Sequence, residues 1–161
     1  SWCQNNQLGW MLWDKEICDM NLHLFVKKLI GIRKQLPELF TPNKPHEEIN
    51  LKKAETCFKN IWLQWHGVEV SKPDWGEWSH TIAYSLNRQS KGALMWMGLN
   101  AYSKAMEFEL PNPSSSNWQL ILNTAEENSK KPKKWPQSTI KLQSYSLVLM
   151  LSKECISAIT L

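Results

Sequence analysis

A helix followed by an all-β antiparallel sandwich is the fold class that these 161 residues predict, and three observations carry it. Apolar residues recur at helical spacing near the start of the chain. Beyond residue 60 the period changes to short stretches rich in β-branched and aromatic residues. Turn-forming pieces such as NRQSKG and PNPSSSN separate those stretches.

The helix lies within DKEICDMNLHLFVKKLIGIRKQLPEL, where Phe25, Leu29, Ile32 and Leu36 step by four, three and four, with Leu22 and Val26 beside them. Asp14 or Asn21 caps its start and Pro37 ends it, which bounds it to about residues 14 to 35. Gly31 in its interior costs about 1 kcal/mol against Ala, and so hints at close packing there. Residues 37 to 60 read as a polar connector with Pro37, Pro42 and Pro45 and a short helix near 47 to 58. The strands follow as IWLQWHGV, HTIAYSL, ALMWMGLNAY, AMEFELP, WQLILNT, STIKLQS and YSLVLMLS. In one of them Met106, Phe108 and Leu110 alternate with Glu107 and Glu109, the pattern of a half-buried strand. Strands at this spacing predict an antiparallel sandwich over residues 61–153 with a frayed tail at 154–161.

Composition narrows the function classes. At 42% apolar and 21% charged the chain is globular. Its ten tryptophans are the outlier, and their flat faces serve either an aromatic core or a surface that stacks on sugar rings or bases. The net charge of +4 comes largely from short lysine runs. The run KKPKKW, broken by proline, reads as a solvated loop, so no nucleic-acid partner is expected. Cys3, Cys18, Cys57 and Cys155 form no C-x-x-C pair, which argues against zinc and for reduced thiols in a cytosol or organelle stroma. The longest apolar run, SLVLML, is far too short to cross a membrane, so no membrane partner is expected.

Self-contained chemistry is scarce. Glu47-Glu48 and Glu126-Glu127 are neighbours in polar segments and read as solvated pairs. Asp74 and Glu77 flank Trp75 in KPDWGEWSH with His80 nearby, but Pro73 and Gly76 make this a loop in which an Asp caps a turn. Cys57 and His66 have the residue types of a nucleophile and base without a surrounding signature. No Gly-rich phosphate loop occurs, so no cofactor is implied and no catalytic residue is assigned.

The opening stretch SWCQNNQLGW has no methionine and no charge, but two tryptophans and four consecutive side-chain amides, Gln4, Asn5, Asn6 and Gln7. It reads as a loop, and a chain starting this way is expected to begin inside something longer. In order, CQNNQLGWMLWD, LHLFVKKLIGIRKQLPEL, LQWHGVEVSKPDW, HTIAYSL, MGLNAYSKAMEFELP and WQLILNT resemble the C-terminal third of isoamylase and glycogen-debranching enzymes of the α-amylase clan. The resemblance runs from about residue 2 to 152. It implies that residues 1–37 are the end of a catalytic (β/α)8 barrel, an active-site loop plus the last helix. Residues 38–60 are then a linker, and the sandwich is the family's C-terminal domain.

The resemblance also implies a function, a fragment of an α-1,6-glucan debranching glycoside hydrolase acting on glycogen or starch. Gln4, Asn5, Asn6 and Gln7 would hydrogen-bond sugar hydroxyls. Trp2 and Trp10 would either stack on pyranose rings or pack the loop on the barrel. Trp75 and Trp78 are the candidates for a secondary sugar platform. The family carries Asp-Asn-Glu where this chain has Asn5, Asn6 and Gln7, which keeps the shape and removes two carboxylates. A catalytically silent glucan-binding or regulatory subunit is therefore the alternative. The family's catalytic carboxylates lie upstream of this segment, so the chain alone is expected to be inactive. The partner implied is an α-glucan, reached through the rest of the barrel, in the cytoplasm or in a plastid stroma.

Overall fold

The computed structural model describes residues 5–10, 20–36, 39, 61–88, 92–114, 117–126 and 131–156. Helix α1 spans Met20–Gln35, and eight strands follow: β1 Ile61–His66, β2 Thr81–Arg88, β3 Gly92–Asn100, β4 Met106–Glu109, β5 Trp118–Asn123, β6 Lys133–Trp135, β7 Thr139–Leu142 and β8 Ser146–Ser152. A short helix, α2, closes the described chain at Lys153–Ile156. Six strands form one antiparallel sheet in the order β1-β2-β3-β8-β5-β6, while β4 and β7 pair as a separate ribbon.

All seven stretches with strand character become strands. The eighth, β6, departs from the solvated loop expected of KKPKKW. Trp135 supplies the reason, because it pairs with Trp118 of β5 and its indole N–H donates to the Thr139 carbonyl at 2.9 Å. Lys133 and Lys134 remain exposed. They end the sheet on an edge whose charge discourages further strand addition.

The two faces of the large sheet bury different things. One packs Trp96, Val148, Met150, Trp118 and Leu120 against Phe108, Ile140 and Leu142 of the ribbon. The other packs Ile61, Leu86, Met95, Leu149 and Leu151 against Ile32 of α1, Leu36 just beyond its end and Cys155 of α2. The fold is thus a sandwich with a ribbon on one face and helix on the other. Cys155 draws α2 onto the sheet at 8% exposure, so the ordered chain continues into the stretch expected to be a frayed tail.

In α1 only part of the predicted stripe is buried. Ile32 is 2% exposed, whereas Leu22, Val26 and Leu29 face outward. Lys28 also turns to the sheet, donating to the Ile121 carbonyl at 2.8 Å, and burial pulls its pKa down. Gly31 has no close neighbour where a Cβ would stand, so the tight packing expected there is absent. The connector at 37 to 60, including the short helix expected near 47 to 58, lies outside the described residues apart from Leu39.

Candidate functional site

The antiparallel register gathers several loops at one end of the sheet. His66 ends β1 opposite Ala83, Thr81 starts β2 opposite Asn100, and Asn100 ends β3 opposite Ser146. The loop from 67 to 80, the β3–β4 turn and the β7–β8 turn therefore all emerge at that end. Most of the exposed aromatic side chains of the β domain stand on or beside them.

The 67–80 loop carries Trp75 and Trp78, which are 63% and 86% exposed. Trp75 does not float. Its ring meets Trp65 edge-on at 5.5 Å, and Trp65 in turn meets Tyr84 at 5.7 Å. Trp65 and Tyr84 are register partners on adjacent strands, so their rings share one sheet face. Trp65 and Tyr84 were not among the residues singled out from sequence. The available signal was parity, since Trp65 continues the Ile61, Leu63 series beyond the point where the helix covers the sheet.

His66 anchors this loop from below. It is fully buried, its Nδ1 accepts the Ser71 N–H at 2.8 Å, and its Nε2 lies 2.8 Å from Ser85 Oγ. Because Nδ1 accepts, the proton of the neutral ring sits on Nε2 and is donated to Ser85. Burial lowers the His66 pKa, which keeps the ring neutral. Further ties come from Gln64 Nε2 donating to Ser71 Oγ at 2.6 Å, and from Val70 N–H donating to Glu109 Oε2 at 3.0 Å. Ser71 holds the left-handed conformation, φ 62°.

Gly67 completes the anchor. A Cβ there would stand 2.5 Å from the Lys72 carbonyl oxygen, closer than real contacts allow. Gly67→Ala should therefore force the loop open at a cost of about 1–3 kcal/mol. Urea unfolding checks the stability, and quenching of tryptophan fluorescence checks whether Trp75 leaves Trp65.

Asp74, beside Trp75, has turn-forming work. Asp74 Oδ1 accepts the Gly76 N–H at 2.9 Å, which is the capping role read from the sequence. His66 is engaged as above, and Cys57 lies outside the described residues. Among the described residues no cluster of three or more His, Cys, Asp or Glu side chains is placed to hold a metal.

The opening loop is ordered at 5–10. Asn5 Oδ1 accepts the Trp10 indole N–H at 2.7 Å, and Asn6 Oδ1 accepts the Leu8 N–H at 3.1 Å. Two of the four amides thus shape the turn with the oxygens that a sugar hydroxyl would otherwise use. Gln7 is exposed, and Trp10, held through its indole nitrogen, keeps 56% of its surface in solvent. Trp2 and Gln4 lie outside the described residues.

The described residues form an antiparallel β-sheet structure preceded by a helix. Residues 64–132 match the family model described as isoamylase 1-3, C-terminal. The chain is 25% identical over 128 residues to isoamylase SU1, chloroplastic, of Zea mays, covering 79% of this chain and 14% of that protein. It is 26% identical over 124 residues to isoamylase 1, chloroplastic, of Oryza sativa subsp. japonica, covering 77% of this chain and 14% of the relative. Among solved structures, a trehalulose synthase mutant in complex with Tris aligns at TM-score 0.43 and 14% identity over 81% of this chain and 18% of that one. Residues 64–132 are thus similar to a C-terminal domain of the isoamylase type, and the chain spans 14% of the length of the curated relatives it matches.

Proposed function

We propose that this chain is the C-terminal part of an α-1,6-glucan debranching glycoside hydrolase acting on glycogen or starch. Residues 1–37 close its barrel and present a loop to the glucan cleft, 38–60 link, and 61–153 form the stabilising β domain, with 154–161 as its tail. The observation that carries a glucan role is the set of exposed tryptophans held in place by their own neighbours, Trp10 through Asn5 and Trp75 through Trp65. A ring fixed before binding loses little entropy when a pyranose stacks on it. Barrel closure is supported by α1, which turns Ile32 to the sheet and leaves Met20, Leu22, Leu24, Val26, Leu29 and Ile30 facing outward. Apolar side chains left exposed on this scale serve a second packing partner.

Asn5 and Gln7, amides where the family has carboxylates, favour a second reading, a catalytically silent glucan-binding or regulatory subunit. The names of the plant relatives support a plastid location. Affinity electrophoresis of the 161-residue chain through gels containing glycogen or branched maltodextrin tests the proposal. Retardation that falls in Trp10→Ala and in Trp75→Ala is expected, with no reducing ends released. Release of reducing ends by this chain would overturn the placement of catalysis upstream. Unretarded migration of folded protein would overturn glucan contact by this segment.

A further inference from the structure

We propose a second α-glucan contact on this domain, separate from Trp75 and Trp78 and built by Tyr102, Tyr145 and His80. It rests on the glucan reading above and adds a site to it. Tyr102 lies in the β3–β4 turn and Tyr145 in the β7–β8 turn, yet the Tyr145 N–H donates to the Tyr102 carbonyl at 3.3 Å, which brings the two turns side by side. The His80 ring lies 5.7 Å from the Tyr102 ring. Tyr145 is 74% exposed and Tyr102 36%.

Two features set these rings apart from incidental surface aromatics. Tyr145 holds a left-handed backbone, φ 53°, a conformation that disfavours a bulky side chain and is suited to glycine or asparagine. The fold places a large ring in solvent there at a cost that glycine would avoid. Beneath the two turns Asn100, 2% exposed, ties them together. Its Nδ2 donates to the Lys104 and Gln143 carbonyls, both at 2.9 Å, and its Oδ1 accepts the Tyr102 N–H at 3.0 Å. One buried amide therefore fixes both ring-bearing turns before any ligand arrives.

The chemistry around the rings selects the ligand class. Ala101 to Lys104 and Gln143 to Tyr145 offer hydroxyls, an amide and only one charged side chain, Lys104. A nucleic acid would require a cluster of cations. A neutral polyhydroxylated chain requires aromatic faces with hydroxyl and amide partners, which is the set present.

Titration calorimetry of the 161-residue chain with maltoheptaose tests the site, using Tyr145→Gly, Tyr145→Phe and Tyr102→Ala. Tyr145→Gly removes the ring and relieves the backbone, so its melting temperature should hold or rise while affinity falls about tenfold, the equivalent of one lost stacking partner. Tyr145→Phe should bind nearly as the parent does, and Tyr102→Ala should weaken binding as Tyr145→Gly does. Binding by the parent chain that both Tyr145→Gly and Tyr102→Ala leave unchanged would overturn this site and spare the glucan reading. Absence of maltoheptaose binding by the folded parent would overturn both.

Discussion

Trp96→Ala is expected to cost about 3–5 kcal/mol, a large fraction of the stability of an ordinary domain. Trp96 is completely buried at the centre of the large sheet and meets Phe108 of the ribbon edge-on at 6.0 Å. Its ring occupies the space above Gly98, where a Cβ would fall 2.3 Å from Trp96 Cη2. The glycine exists to admit the indole, so Gly98→Ala should overpack the same place and cost about 1–3 kcal/mol. Trp96→Phe is the informative control. It keeps an aromatic against Phe108 and removes an indole N–H that has no hydrogen-bond partner among the described residues, so its cost should be well below that of the alanine variant. Urea unfolding midpoints rank the three.

Removing the His66 ring should come next in magnitude, about 3 kcal/mol for His66→Ala, from the cavity together with the Ser71 N–H left without its acceptor. Acid should produce part of the same effect in the unchanged protein. Burial sets the folded pKa of His66 below the ordinary value near 6.5. The unfolded chain therefore binds the proton more readily, and the contribution of neutral His66 is complete above that value and is lost as pH falls below it towards the folded pKa. A protonated ring would also point an Nδ1–H at the Ser71 N–H, two donors face to face. The loop carrying Trp75 should loosen first. Amide exchange at Ser71, followed from pH 7.5 down to 5, should accelerate beyond the intrinsic trend in the parent and be already fast in His66→Ala. Exchange that tracks the intrinsic trend alone would refute the role given to His66.

What was legible in the sequence follows from the reach of each signal. Strand character was plain wherever alternation or apolar runs met turn residues, because those patterns depend on neighbours in the chain. The lysines of β6 hid a strand whose only inward residue of note is Trp135, and its partner Trp118 lies on a strand separated from it by a turn-forming stretch. Of the apolar stripe that the helix sequence predicts, Ile32 turns to the sheet while Leu22, Val26 and Leu29 face outward. Periodicity reports that a face is apolar and leaves open which neighbour covers it, so the outward position of Leu22 and Leu29 came only with the structure.

The site followed the same logic. Trp75 and Trp78 stood out because two tryptophans in a Pro/Gly loop are conspicuous. Tyr84 joined them through pairing with Trp65, and Tyr102 met Tyr145 across two turns far apart in sequence. The one local clue at Tyr145 was a large aromatic among Gln143, Ser144 and Ser146, where small polar residues alone would make a turn.

The place of β8 in the sheet has a consequence for biosynthesis. This strand, at residues 146–152, lies between β3 and β5 and is hydrogen-bonded to both, so it joins two otherwise separate halves. During translation those halves keep bare inner edges until β8 leaves the ribosome. Bare edges of this kind recruit other strands. A nascent chain stalled before residue 146 is thus a substrate for holding chaperones and for aggregation, while completion of a single strand joins both halves in one cooperative step.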